Sequence, residues 1–101
     1  MKKLALLATL TLLSACNSNR SAAEDAVRES LKDPDSAKFG DFSFNEKTQK
    51  GCLTVNAKNE MGGYTGDQQA HVMKTEEGWV TVAIADIPAS LCRKAQDTVT
   101  E

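Results

Sequence analysis

Gly51-Cys52-Leu53-Thr54-Val55-Asn56-Ala57-Lys58 is the stretch that decides the fold, because its side chains alternate in character. In an extended chain, successive side chains point to opposite faces. One face would therefore carry Leu53, Val55 and Ala57, and the other would carry Cys52, Thr54 and Asn56. This period of two predicts a β-strand with its apolar face turned toward a core.

Three further segments with strand signals lie around this one. They are centred on Phe42 and Phe44, on Ala70 and Val72, and on Trp79 to Ile84. Branched and aromatic side chains of this kind fit a pleated, half-buried surface. Polar or glycine-rich connections at 45–50, 59–66 and 75–78 separate the segments, and each is short enough for a hairpin. We therefore expect a four-stranded antiparallel meander.

A helix is predicted before the first strand. Ser21 and Glu24 have the spacing of a capping box, in which a hydroxyl and a carboxylate satisfy the first amides of a helix. Ala23, Val27 and Leu31 then recur on one helical face. The helix should end near Lys32, because Pro34 disfavours the helical conformation of the residue before it.

A short second helix is expected after Pro88, over Ala89 to Ala95. The fold class is therefore α+β, with the N-terminal helix packed on one face of the four-stranded meander and a short C-terminal helix. The chain of 101 residues has room for a single domain of this kind.

The first residues have the three parts of an export signal. Lys2 and Lys3 form a positive start, an apolar run follows, and Leu13-Ser14-Ala15-Cys16 ends it with small residues. The run is shorter than the ~20 apolar residues that a membrane-spanning helix needs. We expect residues 1–15 to be removed as a signal peptide.

Leu13-Ser14-Ala15-Cys16 resembles the lipobox of bacterial lipoproteins. The resemblance implies that Cys16 becomes the first residue of the mature chain and carries diacylglycerol and an amide-linked fatty acid such as palmitate. Several acyl chains would hold the protein on a membrane without a spanning helix. In lipoproteins of the enteric type an aspartate after the cysteine marks retention in the inner membrane, so by this resemblance Asn17 implies the outer membrane, facing the periplasm. The alternative is an ordinary signal peptide and a secreted protein with a free thiol.

The expected organisation follows from these segments. Residues 1–15 are the signal, 16–21 a lipidated polar tether, 22–95 a single α+β domain and 96–101 a frayed polar tail. The full chain has a net charge of −2, and loss of Lys2 and Lys3 makes the mature chain more acidic. An acidic domain has no electrostatic footprint for nucleic acid or for anionic lipid.

Cys52 and Cys92 remain once Cys16 is assigned to the lipid. Two cysteines in an oxidising compartment favour an intramolecular disulfide, which would stabilise so small a domain. Free thiols and a metal site are the alternatives. With His71 as the single histidine and the cysteines far apart in sequence, the set is a poor one for metal, and we expect no cofactor.

A second resemblance covers much of the domain. Leu31-Lys32-Asp33-Pro34-Asp35-Ser36-Ala37-Lys38-Phe39, Gly51-Cys52, Val55-Asn56-Ala57-Lys58-Asn59 and Gly62-Gly63-Tyr64 with Gly66 carry it. This pattern is similar to that of a set of small bacterial and phage-borne proteins that are commonly exported or lipidated. It implies envelope localisation and supplies no catalytic residue to transfer.

No residue pattern for catalysis stands out. His71 could pair with Asp67 or Glu60, but we expect it to face solvent from a strand. Neither a nucleophile elbow nor a phosphate-binding glycine motif is present in the sequence. Asp33 and Asp35 could suggest a cation site, although such residues more often cap a helix start.

The loop from Met61 to Gly66 is the most unusual stretch. Gly62, Gly63 and Gly66 permit backbone conformations closed to other residues, and Met61 and Tyr64 would be displayed at the tip. Both side-chain types suit contacts with proteins. The alternative is that Tyr64 packs on the sheet and the glycines only turn the chain.

These observations favour a non-enzymatic module that is tethered to the envelope and binds an envelope protein through Met61, Gly62, Gly63 and Tyr64. Exclusion of phage or inhibition of an envelope protein would be forms of this function if the gene is phage-borne. A structural or assembly lipoprotein of an envelope complex is the alternative, and a small periplasmic enzyme is the third. The oligomeric state is left open.

Overall fold

The computed structural model describes residues 18–98. The predicted signal and Cys16, the predicted site of lipid attachment, lie outside the described residues. Helix α1 covers residues 18–29, and a single 3-10 turn spans Pro34–Ser36. The other elements are β1 (Lys38–Asn45), β2 (Lys50–Asn56), β3 (Gln68–Thr75), β4 (Gly78–Ala85) and α2 (Ala89–Asp97).

The four strands form one antiparallel sheet in the order β1-β2-β3-β4, which confirms the predicted meander. Leu53 of β2 lies between Phe42 of β1 and Ala70 of β3. The preceding residue, Cys52, lies between Ser43 of β1 and His71 of β3. The two faces of the sheet are therefore chemically different, as the alternation in β2 predicted.

Helix α1 packs on the apolar face. Leu53, Val55 and Val72 are fully or almost fully buried there, together with Ala23 and Val27 of the helix. Leu31, Phe39, Phe42, Trp79 and Ile84 pack around this centre. Full burial of one such aliphatic side chain contributes roughly 1.5–3 kcal/mol, so this cluster stabilises the packing of α1 on the sheet.

Helix α2 lies on the opposite face. Cys92 is buried and bonded to Cys52. The side chain of Cys52 points to the face of the sheet opposite the one on which Leu53 is buried. Gln96, one turn later, is also buried and accepts a hydrogen bond from the Ser43 hydroxyl. The sequence predicted only one covered face, since the inner stripe of α2 consists of a cysteine and a glutamine rather than aliphatic residues.

The start of α1 differs from the prediction. Residues 18–20 are already helical, so Ser21 is an exposed internal residue and not a cap. Glu24 instead accepts a hydrogen bond from Arg20 at 2.9 Å, across one helical turn. Residues 18–21 therefore belong to the helix rather than to the predicted tether.

The C-terminal boundary also extends further than predicted. Residues 96 and 97, assigned to a frayed tail, complete α2. The Thr48 hydroxyl bonds to the carbonyl of Gln96, and the Asn45 side-chain amide donates to the carboxylate of Asp97. Polar contacts with the β1–β2 hairpin hold this last turn, which a search for apolar periodicity does not detect.

Candidate functional site

The tip of the β2–β3 connection, residues 59–66, is organised around the side chain of Asn59. Its Oδ1 accepts hydrogen bonds from the backbone amides of Met61 (2.9 Å) and Gly63 (3.2 Å). The backbone amide of Asn59 donates to the Gly63 carbonyl, and the backbone amide of Gly62 donates to the backbone carbonyl of Asn59. Gly62 has φ of 82°, a conformation that favours glycine. The tip is thus a closed turn.

The base of the same loop is tied back to β2. The amide of Thr65 donates to the Ala57 carbonyl, and the amide of Gly66 donates to the Asn56 side chain at 3.0 Å. Lys58 and Tyr64 form an isolated antiparallel bridge between the two arms. Backbone hydrogen bonds therefore define the loop along most of its length, and this pre-orders the side chains that it carries.

Met61 is displayed as predicted, with 94% of its surface exposed. Tyr64 lies between the two alternatives that the sequence left open, because the residue is 43% exposed and also makes contacts with the domain. Its hydroxyl donates to the Ser36 carbonyl at 3.3 Å, and the Lys38 ammonium lies 4.6 Å from the ring centre. Tyr64 thus attaches the loop to the 3-10 turn and still presents one side to solvent.

Glu60 lies on the flank of the loop that faces α1. Its carboxylate is 3.3 Å from the Lys32 ammonium, and both side chains are well exposed. Exposed pairs of this kind contribute little to stability. The contact nevertheless places the loop beside the segment that follows α1, and it gives Glu60 a partner other than His71.

The disulfide between Cys52 and Cys92 is confirmed. Their Cα atoms are 6.0 Å apart, and both residues are buried. The bridge joins the centre of the sheet to α2 across a sequence separation of 40 residues. It accounts for both cysteines of the described domain.

The prediction that His71 faces solvent is wrong. His71 lies directly opposite Cys52 and is half-buried, with Nδ1 at 3.8 Å from Sγ of Cys92. The side chains of Cys52, His71 and Cys92 thus converge, and their ligating atoms all lie within 4.8 Å of one another. The cluster could not be predicted from the sequence, because its three residues are far apart in the chain. They meet only because α2 packs on the second face of the sheet.

Asp33 and Asp35 do not form a cap of the expected kind. Asp33 precedes the 3-10 turn but makes no side-chain capping hydrogen bond. The backbone carbonyl of Asp33 accepts a hydrogen bond from the hydroxyl of Ser36. The oxygen of that hydroxyl accepts a hydrogen bond from the backbone amide of Lys58. The turn is therefore held by Ser36, which the sequence reading did not single out.

A second exposed surface lies on the outer part of the α2 face. Val80, Val82 and Leu91 are all substantially exposed. A groove of about 270 Å³ beside them is lined in part by His71, Met73, Val82 and Ala95. Helix α2 packs mainly on β2, so the outer strand β4 keeps an apolar face open to solvent.

No protein-family model, curated protein or solved structure matches this chain. Over residues 18–98, every helix is too short or too polar to cross a membrane.

Proposed function

We propose that this protein is a lipid-anchored envelope lipoprotein that works as a non-enzymatic protein-binding module, and that the tip of the 59–66 loop makes the contact. The observation that carries the proposal is the near-complete exposure of Met61 on a loop whose backbone is held by hydrogen bonds. Apolar side chains are usually withdrawn from water, and a displayed methionine adapts readily to the surface of a partner.

Preorganisation supports the same surface. Binding is weakened when a loop must be ordered on contact, and here Asn59 fixes the tip and Tyr64 fixes one arm before any partner arrives. Lys38 and Lys58 flank Tyr64, so a basic rim lies beside an apolar tip. A protein surface with an apolar pocket and acidic groups at its edge would complement this arrangement.

The state of the two cysteines and the histidine favours a binding function over a catalytic one. Cys52 and Cys92 are joined and buried, and His71 lies against their bridge. A thiolate nucleophile would need an ionised, accessible sulfur. If the gene is phage-borne, such binding would serve to exclude superinfecting phage, and inhibition of an envelope protein is a second form of it.

Site-specific photo-crosslinking in the native envelope tests the proposal. A photoreactive residue at position 61 should yield a discrete crosslinked protein, while the same group at Glu77, exposed in the β3–β4 turn, should not. Met61→Ser should abolish capture by a probe placed at position 60 and leave the thermal midpoint unchanged. Equal crosslinking at 61 and 77 would refute a specific contact at the tip.

A structural or assembly role is the second candidate, and the exposed apolar face of β4 favours it. Val82 and Leu91 would be covered if the domain were one component of a larger envelope complex. A photoreactive group at position 82 separates the two candidates. Crosslinks at 82 with none at 61 would replace the loop by this face as the site of contact.

A further inference from the structure

Three side chains with metal-ligating atoms meet between β2, β3 and α2. Cys52 and His71 are direct partners in the register of neighbouring strands, and Cys92 reaches them from the helix above. Each of the three therefore comes from a different element, and two of them lie in the middle of the sheet. Such a framework fixes ligand positions more firmly than a loop does.

The spacing suits one ion. Around a tetrahedral zinc ion, with Zn–S of about 2.3 Å and Zn–N of about 2.0 Å, neighbouring ligand atoms are roughly 3.5–3.8 Å apart. The Nδ1 atom of His71 is 3.8 Å from Sγ of Cys92. The Cα atoms of the two cysteines are 6.0 Å apart, so rotation of their side chains is enough to separate the freed sulfurs around a common point.

We infer that the reduced chain binds one Zn²⁺ ion through the thiolates of Cys52 and Cys92 and the imidazole of His71. The disulfide and the metal complex are then two alternative states of the same site. Within residues 18–98 this cluster supplies three ligands, and water or an exogenous donor completes the tetrahedron. His71 itself also lines the groove beside Val82 and Ala95.

The chemistry balances with an external thiol as reductant. Two reductant thiols are oxidised to a disulfide, and the Cys52–Cys92 bond is reduced to two thiols. Binding of Zn²⁺ then displaces one proton from each thiol, while neutral His71 donates a lone pair, so two protons leave for each ion bound. Exchange with an external disulfide reverses the step: that disulfide takes two electrons and two protons and leaves as two thiols, the Cys52–Cys92 bond re-forms, and the ion is released. The inference does not depend on the proposed loop contact or on the lipid.

Cobalt substitution provides the direct test. The exported protein carries Cys16→Ser, so that no third thiol can interfere, and it is reduced with dithiothreitol and desalted without oxygen. Titration with Co²⁺ should give an endpoint of one ion per chain, with sulfur-to-cobalt charge-transfer bands and the visible bands of tetrahedral cobalt. One equivalent of Zn²⁺ should then bleach the spectrum. The oxidised protein should show none of these bands.

His71→Ala is the decisive variant, because it keeps both sulfurs. Loss of outer-shell partners alone weakens metal binding 10–100-fold, so loss of a direct ligand should weaken it by at least tenfold. Equal affinity of the variant, or a folded reduced protein without tetrahedral bands, would overturn the inference. If the reduced chain unfolds, circular dichroism provides the measurement instead. Zn²⁺ should then restore the fold of the parent protein and not that of His71→Ala. Failure of Zn²⁺ to refold the parent would also overturn the inference.

Discussion

Cys52 and Leu53 are consecutive residues of β2, and their side chains connect the sheet to different helices. Leu53 is fully buried in the cluster with Ala23 and Val27 of α1. Cys52 is covalently bonded to Cys92 of α2 on the other face. One strand therefore supports two separate attachments, one made by apolar packing and one by a covalent bond, and each can be removed alone.

Loss of the disulfide should destabilise the domain by about 4 kcal/mol in the chain-entropy model, given its 40-residue separation. Chemical reduction is the cleanest change, because it removes no side-chain atoms. Denaturant unfolding of the oxidised and reduced protein measures the difference, with a chelator present in both samples to exclude metal. A change below about 1 kcal/mol would contradict the prediction.

Leu53→Ala should lower the free energy of unfolding by roughly 2–5 kcal/mol, since it leaves a cavity where the side chain is fully buried. Val82→Ala is the matched control, because Val82 is 62% exposed in the same sheet. The control should change stability by no more than about 0.5 kcal/mol. Similar losses in both variants would mean that the outer face of β4 is buried in solution.

Gly51→Ala should be destabilising by about 1–3 kcal/mol. A Cβ atom at this position would lie 2.8 Å from the Ser43 carbonyl oxygen and 3.1 Å from Cγ2 of Val72. Gly63→Ala is its counterpart in the loop, where a Cβ meets nothing within 4 Å. Thermal unfolding should show a lowered midpoint for the first variant and an unchanged or slightly raised one for the second.

Tyr64→Ala should lower stability by only about 1 kcal/mol, because the residue is partly exposed and its side chain contacts Lys38, Lys58 and the Ser36 carbonyl. Tyr64→Phe should keep the ring contact and change stability by less than about 0.5 kcal/mol. Partner capture should fall with Tyr64→Ala, which frees one arm of the loop. A loss of 3–5 kcal/mol would instead identify Tyr64 as a core residue.

Cys16→Ser should abolish labelling by a fatty-acid analogue and move the protein from the membrane pellet to the soluble fraction. The reason is that stable anchoring requires more than one acyl chain, and all of them would depend on this residue. Pelleting followed by immunodetection measures the shift. Recovery of the variant in the membrane fraction, at the mature size of the parent, would contradict the assignment of Cys16.

The alternation in residues 51–58 predicted the apolar face that α1 covers, and together with three further strand segments and the short connections between them it predicted the meander. The parity of Cys52 also placed it opposite the core face, and its bond to Cys92 followed from compartment chemistry. The position of α2 could not be predicted in the same way, because polar contacts through Gln96 and a covalent bond hold it rather than an apolar stripe. His71 was misjudged for that reason, since its surroundings are created by α2.

The loop was the part of the candidate site that sequence described best. Glycines at 62 and 66 have positive φ, and Met61 is displayed. The role of Asn59 in closing the turn was not predicted, because the sequence does not indicate which backbone amides will donate hydrogen bonds to a polar side chain in a turn. The start of α1 was misplaced because a serine–glutamate spacing resembles a cap even inside a helix.

Helix α1 is already formed at residue 18, which leaves Asn17 as the single residue between Ser18 and the proposed lipid attachment at Cys16. A helix over residues 18–29 is about 18 Å long, and Lys32, just beyond its far end, contacts Glu60 of the loop. Because α1 is packed on the sheet, a lipid on Cys16 would be attached close to the folded domain, and this would limit how far Met61 can lie from the bilayer. Partners within that reach would be selected by distance as well as by surface, and a flexible insertion after Asn17 should relax that selection while leaving the domain unchanged.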